Sequence, residues 1–522
     1  MDKRILICGI DLGTSCCKVC VFNESQHNYS MIDFDGKKYL PSIVVIENDR
    51  IHVGVENIVT DGVIISEAKR LMAMKYNDID QKMLRKLPYP IINHNGYCGI
   101  PVQFKGRQHI LTPTHIAAIL LYKVKLQIQK NFPGFDEIRA VVTVPAQFRD
   151  AQKDATVEAV KMAGLSLIKI IDEPIAAAYC YEDQSQRGNS RIELGLHMVF
   201  DLGHGTIDVT MNKKKRLGDR ETIEVIAPDG DPHCGCFDMD IAMTDYILEM
   251  IKTDYDDGEE KVEKITAETK AGKKKMFKIR KIVENGKKDL SVNETVEIDL
   301  RSVDPELDQP IQITRDDFQR ECEHVLNKCK EVIDKVLDEK GIDPEDFMHV
   351  LLAGGGSHLP MIERMIKDIF TCEVKKYEEV DLAVARGAAI YAKMNDDGVE
   401  ALIEEVVIHD IQMKNDKGQL DTVLAKGTPI SSEHSFWFES VHSDAYFDVF
   451  ENNVQIGHFV VAPTTAGQYY ECFVRFDQNR TLVLQANVGE RKVNGVNVQR
   501  QATRPQNDDG KEDKEYIKSF FN

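Results

Sequence analysis

Apolar positions run through the first 395 residues in two rhythms, short unbroken runs and runs spaced by three and four, and only the strand-like rhythm continues beyond them. The runs at 6–10, 140–144, 167–171, 198–200 and 350–353 are apolar but for Thr143 and Lys169, as in buried strands. Helix patterns lie between them. Asp150 caps a helix whose Ala151, Ala155, Ala159 and Ala163 share one face and which Gly164 closes. Pro174 opens an alanine-rich helix containing Ala176, Ala177 and Ala178. Phe318, Cys322, Val325, Cys329, Val332 and Val336 predict one helix over 318–337, ended by Gly341 and Pro344. The charged stretch 252–288 predicts exposed helix with a loop. Strands alternating with helices imply α/β architecture.

Two segments repeat one order of features. Leu6 to Thr14 and Met198 to Thr206 each give an apolar strand, an Asp, a Gly turn, a Thr and a second strand, which predicts one hairpin duplicated in two lobes. The turn-forming Asn395-Asp396-Asp397-Gly398 then marks a boundary. Short runs rich in Val, Phe, Tyr and Thr at 406–413, 422–425, 435–441, 446–450, 455–461, 469–476 and 481–488 predict an all-β unit over 396–500. The polar stretch 501–522 predicts a disordered tail.

Composition narrows the function classes. A chain of 522 residues exceeds one hydrophobic core, and 42% apolar with 29% charged residues is ordinary for a globular protein. A net charge of -20 argues against nucleic acid as a partner, because phosphate contacts need clustered Lys and Arg. No run reaches a membrane span, the start lacks a signal-type apolar segment and the end is no retention signal, so the expectation is a cytoplasmic protein without a membrane partner. Twelve scattered cysteines suit buried thiols in a reducing compartment.

A nucleoside triphosphate requires backbone N–H groups at its oxygens and carboxylates to hold a metal. There is no G-x-x-x-x-G-K-[ST], and no G-x-G-x-x-G, since position 208 is Asp and position 359 is Leu. The duplicated hairpins offer another arrangement. Each Gly turn exposes N–H groups beside a Thr hydroxyl, and Asp11 and Asp201 face one gap from opposite lobes. A third turn, Gly354-Gly355-Gly356-Ser357, follows an apolar strand and precedes a helix near Pro360, an anion or ribose cradle at a helix N-terminus.

Five motifs in order resemble the ATPase domain of the 70-kDa heat-shock chaperones over residues 1–393. They are Ile10-Asp11-Leu12-Gly13-Thr14, Glu67-Ala68-Lys69-Arg70-Leu71, Val142-Thr143-Val144-Pro145-Ala146 with Asp172-Glu173-Pro174, Phe200-Asp201-Leu202-Gly203-His204-Gly205-Thr206-Ile207-Asp208, and Ala353-Gly354-Gly355-Gly356-Ser357-His358. The resemblance implies an α/β two-lobed actin-like ATPase fold with duplicated lobes over 1–395, and a shortened β-sandwich of the substrate-binding type over 396–500. It implies ATP/ADP and Mg2+ as cofactors, with Asp11, Glu173 and Asp201 holding the metal's waters. Thr14 and Thr206 would bond terminal phosphate oxygens within turns that include Gly13, Ser15, Gly203, His204 and Gly205, and Lys69 and Asp208 would orient the attacking water. Glu284, Lys287 and Ser291 match the adenosine-binding helix, Gly354, Gly355 and Ser357 the adenosine-side turn, and Asp381 a closing acid. Pro145 and Lys153 match an interlobe relay.

The implied function is an ATP-hydrolysing chaperone or co-chaperone whose partners are unfolded or nascent polypeptides, J-domain co-chaperones and nucleotide exchange factors. The alternative is a nucleotide-binding regulator or scaffold that hydrolyses little and docks to partner chaperones or ribosomes. Departures from the family pattern support that alternative. His204 replaces the middle glycine of the second phosphate turn, where a positive φ would strain it and slow hydrolysis. Lys288 and His358 stand where the family stacks arginines on adenine, which implies looser nucleotide binding. The residues after 500 leave no room for the family's helical lid, which implies brief peptide retention.

Overall fold

The computed structural model describes residues 3–24, 27–56, 62–79, 86–186, 192–218, 220–377, 379–399, 403–414, 418–440, 445–461, 464–476, 482–488, 491–492, 497–500 and 511–521. Lobe I is organised on Ile5–Leu12 (β1), an apolar run buried along nearly its whole length. It pairs in parallel with Glu137–Val144 and antiparallel with Cys16–Asn23 (β2). Ser166–Asp172 extends the sheet beyond Glu137–Val144, and Asn28–Met31 extends it beyond β2. Lobe II repeats this plan. Gly195–Leu202 pairs in parallel with Phe347–Ala353 and antiparallel with Ile207–Leu217, with Glu373–Lys376 and Arg220–Asp231 outside them. Asp11 lies opposite Lys18 in one hairpin and Asp201 opposite Asp208 in the other, so the sequence repeat is a repeat of topology.

Helices fill the layers around these sheets. Asp150–Met162 buries Ala155 and Ala159, with Arg149 in the cap position expected of Asp150 and Gly164 in the left-handed region after its end. Glu173–Gln186 starts where the strand Ser166–Asp172 stops. The single helix expected over 318–337 is two, Arg315–Glu321 and Glu323–Lys340, divided at Cys322 (φ -92°, ψ 6°). Both halves bury the same side, so the apolar period runs through the break unchanged. The charged stretch forms Gly258–Thr266 and Lys270–Leu290, and the second turns Glu284 and Lys287 inward.

The C-terminal unit is a two-sheet sandwich. One sheet orders Leu420–Leu424, Ile411–Lys414, Ala445–Glu451, Val454–Val461 and Asn497–Arg500; the other orders Glu433–Glu439, Tyr469–Phe476, Leu482–Val488 and Arg491–Lys492. Alternation puts Tyr470, Cys472 and Val474 inward, against a core that includes Val449, Phe459 and Leu484. The strand expected over 406–413 is shorter. Ile403–Glu404 instead joins the lobe II sheet, and Val406, Val407 and Ile408 are buried between the units without forming a ladder.

The tail also departs from expectation. Residues 501–510 lie outside the described residues, but Lys511–Ser519 is a helix, and Ile517 and Phe520 are buried in the lobe I core where disorder was expected. Its apolar side chains are confined to the last turns, so the polar average of the segment hides an amphipathic face. No helix among the described residues is long and apolar enough to cross a membrane.

Candidate functional site

Three turns meet between the lobes. The β1–β2 turn supplies Gly13, Thr14 and Ser15, the equivalent lobe II turn supplies Gly203 to Thr206, and the turn after Phe347–Ala353 supplies Gly354 and Gly355. They enclose a cavity of about 440 Å³, within the usual range for small-ligand sites. Close approach requires small residues at two points. A Cβ on Gly205 would sit 2.8 Å from Thr14 Oγ1, and Gly354, at φ +75°, would place one 2.3 Å from Asp201 Oδ1.

Lys69, Glu173, Asp11 and Asp201 line this cavity with Glu284, Lys287, Lys288, Ser291, His358 and Asp381, as the family resemblance implies. Two expected residues do not. Ser357 is fully buried and donates its hydroxyl to the Ala353 carbonyl at 2.6 Å, because the turn continues as a short helical segment that points the side chain back to the strand. Asp208 does not line the cavity; it is buried beside it and accepts from Thr206 Oγ1 at 3.3 Å. Cys16, Lys18, Tyr39, Glu56 and Lys281 also line the cavity and were not singled out from the sequence. The available signal for Lys18 was the repeat itself, since Lys18 follows Asp11 at the spacing at which Asp208 follows Asp201.

The carboxylates are crowded. Lys69 Nζ donates to Glu173 Oε1 at 2.9 Å, and Lys18 Nζ to Asp11 Oδ2 at 3.1 Å. Asp201 Oδ2 is buried with no hydrogen-bond partner among the described residues. Burial, then the charges of Glu173 and Asp11, push the Asp201 carboxyl well above its ordinary range, and burial likewise raises Glu173 despite Lys69. Such a site stabilises added positive charge. Among the described residues no three His, Cys, Asp or Glu side chains converge as direct ligands of one ion. With Asp201 Oδ2 unsatisfied beside Asp11 and Glu173, the residues present fit a hydrated cation such as Mg2+.

At the other end Glu284 is held below its ordinary range: burial alone would raise it, but Lys281, His204 and Lys288 outweigh that effect. Lys287 is buried and paired with Asp240 at 2.7 Å, which ties the helix Lys270–Leu290 to the helix Cys236–Asp254. His358 lies 3.5 Å from Asp381, on the opposite rim.

His204 corrects an expectation. Neither it nor its flanking glycines has a positive φ, so the turn carries no strain there. Its Nε2 lies 3.1 Å from Glu67 Oε1 on lobe I, and the strained residue is Glu67, at φ +58°. A non-glycine residue in that region costs on the order of 1–3 kcal/mol.

Two lobes built on one duplicated hairpin around an acid-rich cleft, followed by a β-sandwich, define the actin-like two-lobed class of ATPase fold. Comparison with known proteins narrows this. The family model described as Hsp70 protein matches residues 7–462, and the chain belongs to that family. It is 30% identical over 446 residues to a heat shock 70 kDa protein of Neurospora crassa, covering 83% of this chain and 66% of that protein. It is 29% identical over 449 residues to a heat shock 70 kDa protein of Emericella nidulans, covering 84% and 66%. The chain thus spans 66% of the length of these relatives.

Proposed function

We propose that this protein is an ATP-dependent chaperone or co-chaperone that binds Mg-ATP between its lobes, hydrolyses it slowly and passes its nucleotide state to the β-sandwich. The observation that carries this reading is the single cavity in which Asp11, Thr14, Lys69, Glu173, Asp201 and the turn 203–206 meet from both lobes. Thr14 and Thr206 offer hydroxyls to terminal phosphate oxygens, and Asp208 fixes the Thr206 rotamer. Lys69, held by Glu173 and lying 5.5 Å from the Phe148 ring centroid, aims an ammonium at the charge that develops on the transferring phosphoryl. When bound, Mg2+ would neutralise phosphate charge, with Asp201, Asp11 and Glu173 as the residues that hold its waters.

The β-sandwich and the segment 403–408 that leads into it support coupling. Lys169 bonds Glu405 at 3.0 Å, and Pro145 shares a cavity of about 320 Å³ with Lys69, Thr206 and Val454 to Ile456 of the sandwich. Unfolded or nascent polypeptide, J-domain co-chaperones and exchange factors are the partners this reading implies. A regulator that binds nucleotide and hydrolyses little is the second reading, favoured by Lys18 and His204 at the phosphate end.

Calorimetry with Mg-ATP and Mg-ADP tests the first step, and absence of binding at millimolar nucleotide would refute both readings. Single-turnover hydrolysis then separates them. Lys69→Ala should lower the rate by about a hundredfold or more with nucleotide affinity largely kept, as expected for charge stabilisation confined to the transition state. Equal loss of affinity and rate would make Lys69 a structural residue.

A further inference from the structure

The two hairpins that face each other across the cleft match in register but not in charge. Asp201 has Asp208 opposite it on the neighbouring strand, whereas Asp11 has Lys18. The register fixes the Lys18 backbone beside the cleft, and its neighbours Cys17 and Val19 are fully buried on the other face of β2. Its side chain is 12% exposed, its Nζ lies 3.1 Å from Asp11 Oδ2, and it lines the same cavity as Thr14, Gly203 and Thr206. With Lys69 on Glu173 at 2.9 Å, two of the three carboxylates assigned to a hydrated metal already carry an ammonium from the chain itself.

We propose that Lys18 is a built-in cation at the phosphate end of the cleft, so that this protein holds nucleotide with little dependence on Mg2+. The inference rests on the nucleotide reading of the same site. Phosphate oxygens need positive charge close by, and a lysine ammonium is an established point charge for them. Unlike Mg2+, it is delivered by the fold and sheds no shell of ordered water. Its ion pair also reduces the field that Asp11 would exert on the metal's waters, so metal affinity falls as metal-free nucleotide affinity rises.

Calorimetric titration of ADP into wild type and Lys18→Met, each with Mg2+ and with EDTA, measures the effect. Loss of a buried charge-assisted contact is worth about ten- to a hundredfold in affinity, so wild type should weaken by less than about tenfold in EDTA and Lys18→Met by about a hundredfold. Equal dependence on Mg2+ in the two proteins would overturn the proposal. Thermal unfolding with Mg2+ alone gives a readout that needs no nucleotide. Lys18→Met, and Lys18→Gln as a second variant that keeps a polar tip, should gain stability from millimolar Mg2+, and wild type should not. If ADP binds under neither condition, the nucleotide reading fails by itself. The metal-only measurement still decides Lys18, and variants that do not respond to Mg2+ would overturn its role.

Discussion

The His204 imidazole meets Glu67 across the gap between the lobes, and both side chains are nearly buried, at 12% and 9% exposure. Among the described residues Glu67 Oε2 has no hydrogen-bond partner, so His204 provides the contact that makes the buried carboxylate tolerable. Burial pushes Glu67 up, but His204 and Arg70 bring it below its ordinary value of 4.5. A lowered folded-state value means that the pair adds stability above about pH 4.5, which is lost as pH falls through the still lower folded value. His204→Gly should cost about 1–3 kcal/mol in chemical unfolding at neutral pH. With no strain at His204 to relieve, this change should not speed hydrolysis. Glu67→Gln should cost less, and the double variant less than the sum of the two. Additive losses would show that the two residues do not act as a pair.

Among elements, the C-terminal helix is the one whose role depends on where it docks. Phe520 stacks on Phe104 with ring centroids 4.7 Å apart, Phe521 lies 4.8 Å from the Tyr122 ring, and the Tyr516 hydroxyl is 3.2 Å from His109 Nδ1. Isolated, a nine-residue helix is too short to persist in water, so its order comes from this groove. Phe520→Ala removes the central anchor, worth about 3–5 kcal/mol when fully packed. Limited proteolysis should then cut within residues 511–521 of the variant at concentrations that leave wild type intact, with lobe I still folded. Equal resistance would mean that the remaining contacts, from Tyr516, Ile517 and Phe521, hold the helix without Phe520.

Across the whole molecule, the sandwich is tied to both lobes by polar contacts. Lys426 bonds Glu339 at 2.6 Å, His409 lies 3.4 Å from the Gln147 carbonyl, and the Asp150 backbone N–H donates to Glu451 Oε2 at 3.2 Å. Burial, and then the neighbouring Asp150, push Glu451 up to about 8. Released to solvent, it would return to its ordinary 4.5, so the docked form binds the proton more tightly. Docking should therefore be strongest at the acid end of this window and weaken as pH rises through about 8. Energy transfer between dyes on lobe I and the sandwich should fall between pH 6.5 and 8.5 in wild type and stay constant in Glu451→Gln. A wild-type signal independent of pH would place Glu451 outside the docking equilibrium.

The central strands, the duplicated hairpin, the glycine turn at 354–356 and the alternation of the sandwich were all legible in sequence. Each is fixed by burial period or turn chemistry among residues close along the chain. The gathering of acids was legible as well, through motifs whose order resembles a known family. Partnerships were not. Lys18 faces Asp11 because of strand register, and His204 meets Glu67 from 137 residues away because the lobes close on each other. Ser357 turns from the cavity because its hydroxyl finds the Ala353 carbonyl, and the last helix orders only against a groove made by residues near 104 and 122. Local pattern decides which residues are buried, but which charge compensates which depends on distances that exist only once the sheets and lobes are assembled.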